Sequence, residues 1–191
     1  MPRAGLSRAA VVGAAAELAD EVGWERLTLA ALAARLGVRL PSLYKHIDSV
    51  DGLRRDVAVL AVGELGAALG GAAIGRAGGA ALRPVAAAYR EYALHHPGRY
   101  AATVRAPAAA DAEHIAAAET VLRVVLAVLS GYGLAGDDAI DAARALRSAL
   151  HGFATLEAGG GFGMPVDVDR SYTRLVDGFD TALTTWAHSD R

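Results

Sequence analysis

Residues 28–53, TLAALAARLGVRLPSLYKHIDSVDGL, decide how the rest of the chain is read. Leu29, Leu32, Ala33 and Leu36 recur at helical spacing, so one face of a short helix opening at Thr28 is apolar and has to pack on something. Gly37 ends that helix, because a glycine just past the last periodic residue takes the left-handed conformation at little cost and lets the chain turn sharply. Pro41 restarts it: proline suits a first helical turn, where its missing N–H would have had no intrahelical partner. The spacing therefore predicts a second short helix over residues 40–47, with Leu43 and Ile47 turned inward. Ser42, Tyr44, Lys45 and His46 are left outside, a hydroxyl, a phenol, a cation and an imidazole that suit phosphates and base edges and would make a poor core. Such a face on two helices joined by a glycine turn reads as a helix-turn-helix that grips DNA.

These residues resemble the tetracycline-repressor (TetR) family of bacterial transcription regulators. Thr28, Gly37-Val38, Leu43-Tyr44-x-His46-Ile47 and Ser49-x-Asp51-x-Leu53 all fall at the family's spacing. Two positions depart from it. Arg39 stands where most members cap the recognition helix with Ser or Thr, and Val50 where they usually carry a phosphate-contacting Lys, which leaves Arg54 and Arg55 as the nearby cations to replace it. The resemblance implies an all-α fold, with a three-helix DNA-binding head over residues 1–52 and a helical bundle for effector binding and dimerisation over residues 53–191. Base contacts are then expected from Arg39, Leu40, Pro41 and Ser42, and phosphate contacts from Thr28, Tyr44, Lys45 and His46.

Composition agrees with that division. Of 191 residues 53% are hydrophobic and only 6% aromatic, so much of the core must be Ala, Val and Leu, and no convincing alternating strand occurs. The formal net charge is −2, yet residues 1–55 hold eight Lys/Arg against six Asp/Glu, while the remainder holds eleven against fifteen. A slightly basic head on an acidic body suits DNA. Cysteine is absent, which removes disulfides and thiolate metal sites and makes a reducing compartment the default. Arg3 and Arg8 before the run Ala9 to Ala16 superficially suggest a signal peptide, but Val11, Ala15, Leu18, Ala19 and Val22 form a stripe that continues past Glu17, as in a core helix. No uncharged apolar run approaches the roughly 20 residues of a membrane span. The chain is expected to be cytoplasmic, with no membrane partner.

Further along, a first helix is expected from Ser7 to Glu21 with Gly23 closing it and Trp24 packed beneath, and a fourth from about Ser49 to Leu69. The glycine-rich stretch Gly70 to Gly79 reads as a flexible connection. Helices are then expected over residues 82–94, 99–105 and 111–130, the last greasy from Val121 to Leu129 and so placed in the middle of a bundle. Asp137 and Asp138 are read as caps of the next helix, and Asp167 or Asp169 as the cap of a final one carrying Tyr172, Leu175, Val176, Phe179, Leu183 and Trp186 at three- and four-residue steps. In the family two such helices pair with their copies across a two-fold axis, which makes Leu146, Leu150, Phe153, Leu175, Phe179 and Leu183 the expected homodimer contact. Leu150-His151-Gly152 with the loop to Phe162-Gly163 also resembles a C-terminal class named for a Trp-His-Gly signature, with Leu in place of Trp.

Enzyme signatures are scarce: there is no nucleophile elbow, P-loop, zincin or dinucleotide motif. His95-His96 point about 100° apart and read as a solvated helix end rather than a metal site, and no cofactor is expected. Tyr89, Tyr92, Tyr100 and His114 fall where TetR-like proteins line an effector pocket, and tyrosines suit small aromatic or amphipathic ligands. The expectation is therefore a ligand-responsive DNA-binding regulator, most readily a repressor on a palindromic operator. Its rivals are an activator of the same fold, and an α-helical enzyme or interaction module with a similar head.

Overall fold

The computed structural model describes residues 6–186, so Arg3 lies outside the described residues. Every regular element among them is helical: α1 (Arg8–Val22), α2 (Leu29–Leu36), α3 (Leu40–Leu43), α4 (Val50–Ala73), α5 (Gly79–His95), α6 (Pro97–Ala102), α7 (Ala112–Ser130), α8 (Gly136–Ala158) and α9 (Val168–Trp186). The all-α expectation holds. The chain's contacts divide it into two compact units, residues 1–64 with 95–117, and residues 65–94 with 118–191.

The first unit is built on α1. Ser7 caps it by accepting from the Ala10 N–H at 3.2 Å, and Val11, Ala15, Leu18 and Ala19 are buried against Leu27, Leu32, Leu43, Ile47, Leu53 and Val57. Trp24 is half-buried against this core, as its position after Gly23 suggested. α6 packs on α1 at backbone distance, a contact that only Gly98 permits, since a Cβ there would stand 2.1 Å from the carbonyl carbon and oxygen of Ala19. Polar bonds hold the same junction. Asp20 accepts from the Arg99 N–H at 2.8 Å and lies 3.3 Å from His96 Nδ1, while Arg99 reaches Glu64 at 3.2 Å.

In the second unit, Leu82, Val85, Leu129, Leu146, Leu150, Val176 and Leu183 are buried. Arg90 of α5 ties α8 and α9 together. It bonds both Glu157 oxygens and Asp169 (2.7 Å), and stacks 4.9 Å from the Tyr172 ring, whose hydroxyl donates to the Ala86 carbonyl at 2.6 Å. Burial pushes the Tyr172 phenol above its ordinary value, against the opposing charge of Arg90. Asp180 accepts from the Tyr132 hydroxyl at 2.6 Å, and Arg83 bridges to Asp177 at 2.8 Å.

Several boundaries differ from the sequence reading, for physical reasons. α4 runs through Gly70 and Gly71 to Ala73, so the break is confined to residues 74–78, because packing of Leu65 and Leu69 outweighs the roughly 1 kcal/mol that each helical glycine costs. α6 runs from Pro97 to Ala102, where residues 99–105 were expected, because proline serves as its first residue. α7 is not in the middle of a bundle: Val128 and Leu129 are buried, whereas Leu122 is 40% exposed and Val121, Val124 and Val125 are half-covered. Ala135, with no side-chain cap, occupies the N-cap of α8, so Asp137 and Asp138 act from within its first turn on the helix dipole. Asp167 does cap α9, accepting from the Asp169 N–H at 2.9 Å. By length and composition alone α4 could cross a membrane, but it carries Asp51, Arg54, Arg55, Asp56 and Glu64, and Leu53, Val57 and Ala61 on it are core residues of the first unit.

Candidate nucleic-acid interface

The turn between α2 and α3 forms as the glycine dictates. Thr28 caps α2, its hydroxyl accepting from the Ala31 N–H at 3.2 Å, and Gly37 closes it at φ 64°, a left-handed conformation costly for any residue with a Cβ. Arg35 near the end of α2 is held by Glu21 at 2.6 Å and Glu17 at 2.9 Å, which fixes α2 to α1 and raises the guanidinium above its ordinary value. The recognition helix is shorter than its spacing predicts. α3 ends at Leu43 and continues as a turn, in which the N–H groups of His46 and Ile47 both donate to the Leu43 carbonyl, at 2.8 and 3.1 Å. Arg39 gives no side-chain cap to α3, while Pro41 sits in its first turn, where a missing N–H costs nothing.

Leu43 and Ile47 are buried in the head core, as expected, and that burial orients everything around them. Thr28, Arg39, Leu40, Pro41, Tyr44 and Lys45 are exposed, while Ser42 and His46 are half-buried. The outward set thus has a hydroxyl, a phenol and two cations, and among the described residues neither Arg39 nor Lys45 has an ion-pair partner. Leu40 at 39% and Tyr44 at 53% exposure are large apolar surfaces left in solvent next to them. Two cations expected to help are otherwise engaged. Arg54 lies 5.6 Å above the Trp24 ring and donates to the Glu25 carbonyl at 3.3 Å, and Arg55 is bound by Asp111, Glu113 (2.7 Å) and Asp56 (3.1 Å).

Residues 11–57 match the family described as bacterial regulatory proteins, tetR family, and residues 82–179 match the tetracyclin repressor-like C-terminal domain. An uncharacterised HTH-type transcriptional regulator of Mycobacterium tuberculosis, Rv0681, is 44% identical over 172 residues, which is 90% of this chain and 78% of that protein. The chain belongs to the TetR family. A second relative, the uncharacterised HTH-type transcriptional regulator YobS of Bacillus subtilis, is 34% identical over 95% of each chain. Among solved structures, a protein of unknown function from Rhodococcus sp. RHA1 superposes with a TM-score of 0.79 at 25% identity, covering 96% of this chain and 99% of that one. As a TetR-family member the chain is a DNA-binding transcriptional regulator.

The candidate effector residues fall into different units. Tyr89 and Tyr92 are buried on α5 in the second, Tyr100 and His114 buried on α6 and α7 in the first. His114 is singular among them: its Nε2 is buried and has no hydrogen-bond partner among the described residues, an arrangement that costs roughly 1–3 kcal/mol when left unmet. Of the candidate dimer residues, Leu146, Leu150 and Leu183 are 4%, 4% and 0% exposed in the single chain and have almost no surface to offer a partner. Phe153, Leu175 and Phe179 are half-buried. The stripe that spacing assigned to a second copy is thus largely consumed by the chain's own core. Large apolar side chains remain exposed at Leu156, Phe162, Met164 and Val166.

Proposed function

We propose that this regulator is a cytoplasmic homodimeric repressor, released from a palindromic operator by a small-molecule effector, with residues 1–52 as its DNA-binding head and 53–191 for effector binding and dimerisation. The observation that carries this reading is the exposed set Arg39, Leu40, Pro41, Tyr44 and Lys45, with half-buried Ser42 and His46 beside it, around the buried anchors Leu43 and Ile47. A helix pair with only a structural role has no use for it. The first residues of α3 read bases, Arg39 by hydrogen bonds and Leu40 and Pro41 by contact with thymine methyls, and Thr28, Tyr44, Lys45 and His46 hold phosphates. Two copies present two such heads, which matches half-sites about 34–36 Å apart on one face of the duplex. The dimer forms through the outer surfaces of α8 and α9 together with Leu156 and the exposed side chains of the loop that follows α8.

The test is a titration with duplex DNA over a range of salt, followed by footprinting on the chain's own genome. Affinity that falls steeply as salt rises, and one protected palindrome, are the expected results. Absence of binding at low salt would remove the reading.

A further inference from the structure

His114 is the third residue of α7 and is 6% exposed, yet its Nε2 meets no hydrogen-bonding group among the described residues. Its main chain is held on the opposite account. The His114 N–H donates to Asp111 Oδ1 at 3.1 Å, and Asp111 receives Arg55 of α4 in a two-pronged bridge whose Nε arm is 2.8 Å. Arg55 also bonds Asp56, which in turn holds Arg8 of α1 at 2.9 Å. The residue with the empty nitrogen is therefore bonded through Asp111 to α4, and from there through Asp56 to α1, the helices that precede and follow the DNA-reading pair α2 and α3.

The surrounding charges restrict what can approach. Arg8 and Arg55 face Asp56, Asp111 and Glu113, so the cluster has one more carboxylate than cation and both cations are already paired. An anionic ligand would meet a negative field with no free countercharge, whereas an uncharged one would not. An imidazole nitrogen donates or accepts according to its tautomer, and a hydroxyl satisfies it either way. The rest of a ligand seated at a buried group has to be apolar to leave water.

We propose that His114 Nε2 is the polar anchor of the effector site, and that the effector is an uncharged, hydroxyl-bearing molecule with an apolar body. This rests on the reading of the chain as ligand-responsive, and it adds the class of ligand and the atom that holds it. Occupation of Nε2 acts on Asp111 through the His114 main chain, and from there on Arg55.

The experiment uses the full chain, wild type and His114→Phe, with three probes: 4-propylphenol, 4-propylanisole and 4-propylbenzoate, followed by calorimetry. His114→Phe fills the same space and removes the unmet nitrogen. The expected result is phenol binding to the wild type at least tenfold tighter than either other probe, and at least tenfold weaker binding to His114→Phe. Should that variant misfold by circular dichroism, His114→Asn takes its place, with phenol binding again reduced. Benzoate binding as tight as phenol, phenol binding unchanged by both variants, or no phenol binding at millimolar concentration overturns the proposal, as does a crystal grown with phenol that holds only water at Nε2. Salt-dependent duplex binding is measured on the same samples. Its loss from the wild type sinks the regulator reading, while its survival alongside failed phenol arms sinks the His114 assignment alone.

Discussion

Gly98 and Ala19 meet backbone to backbone: a Cβ on Gly98 would stand 2.1 Å from the Ala19 carbonyl and 2.5 Å from the Asp20 nitrogen. Main chain cannot rotate aside as a side chain can, so Gly98→Ala has to part α6 from α1. We expect a loss of about 1–3 kcal/mol or more, the usual cost of overpacking. Gly63→Ala is the control, because a Cβ there meets nothing within 4 Å and the helix gains about 0.5–1 kcal/mol. Urea unfolding of both variants checks the pair, and equal midpoints would show that α6 does not sit on α1 this closely.

Lys45 and Leu40 are both exposed, and on the proposed reading Lys45 holds a phosphate, which carries no sequence information, whereas Leu40 touches bases. Lys45→Ala should weaken binding to all duplexes alike and reduce the slope of log K against log salt by about 0.9 for each copy, or about 1.8 for the dimer. Leu40→Ala should change which base is preferred at one position and leave the slope alone. The reverse pattern in fluorescence titrations would exchange the two roles.

How much of this was legible follows from what each signal measures. Ser7, Gly23, Thr28 and Gly37 act through local backbone chemistry, so sequence located the ends of α1 and α2 to within a residue or so. Leu43 and Ile47 were readable as anchors because a four-residue step fixes a side on so short an element. Spacing says that a stripe is covered but not by what, and that is why Leu146, Leu150 and Leu183 read as a dimer contact when their own chain covers them. Arg55 illustrates the other gap. Nothing local to residue 55 announces that Asp111, 56 positions away, will bind it.

Arg55, helped by the His114 N–H, holds the Asp111 carboxyl well below the usual carboxylate range. A depressed folded value means that this stabilisation is present above the unfolded value near 4 and is lost as pH falls beneath it. Asp111→Asn should therefore be less stable than the wild type at pH 7, with the difference shrinking below about pH 4. Denaturant midpoints taken from pH 7 down to pH 2.5 measure it, and a constant difference across that range would place the effect elsewhere.

Leu156 is 53% exposed on α8 and Phe179 is half-buried on α9, so each has surface to lend a second copy without belonging wholly to its own core. An obligate interface of the proposed kind buries on the order of 2,000 Å² or more. Leu156→Asp and Phe179→Asp should shift the protein toward monomer at micromolar concentration by light scattering while helical content is kept. Leu150→Asp should unfold it instead, since that residue is 4% exposed within one chain. A dimer that survives both surface changes has its contact on another face.

An effector that releases DNA has to prefer the arrangement in which the heads fit the operator poorly, and the preference works in both directions. A thousandfold loss of operator affinity is about 4 kcal/mol, or about 2 kcal/mol for each of two effector sites, inside the usual 1–3 kcal/mol range for coupling. The bonds available to carry it run from His114 through Asp111 to Arg55 on the helix that opens three residues after Ile47. Asp111→Asn keeps the size of that link but removes its charge and exchanges one of the two oxygens that accept from Arg55 for an NH2 that cannot, so release should be blunted at least tenfold while salt-dependent duplex binding without effector is retained. Reciprocity supplies the measurement: a confirmed effector must bind the wild type more weakly when operator is saturating, and this difference should shrink in Asp111→Asn. Equal effector affinity with and without operator in the wild type would mean that the two ligands do not compete for the protein's conformation at all.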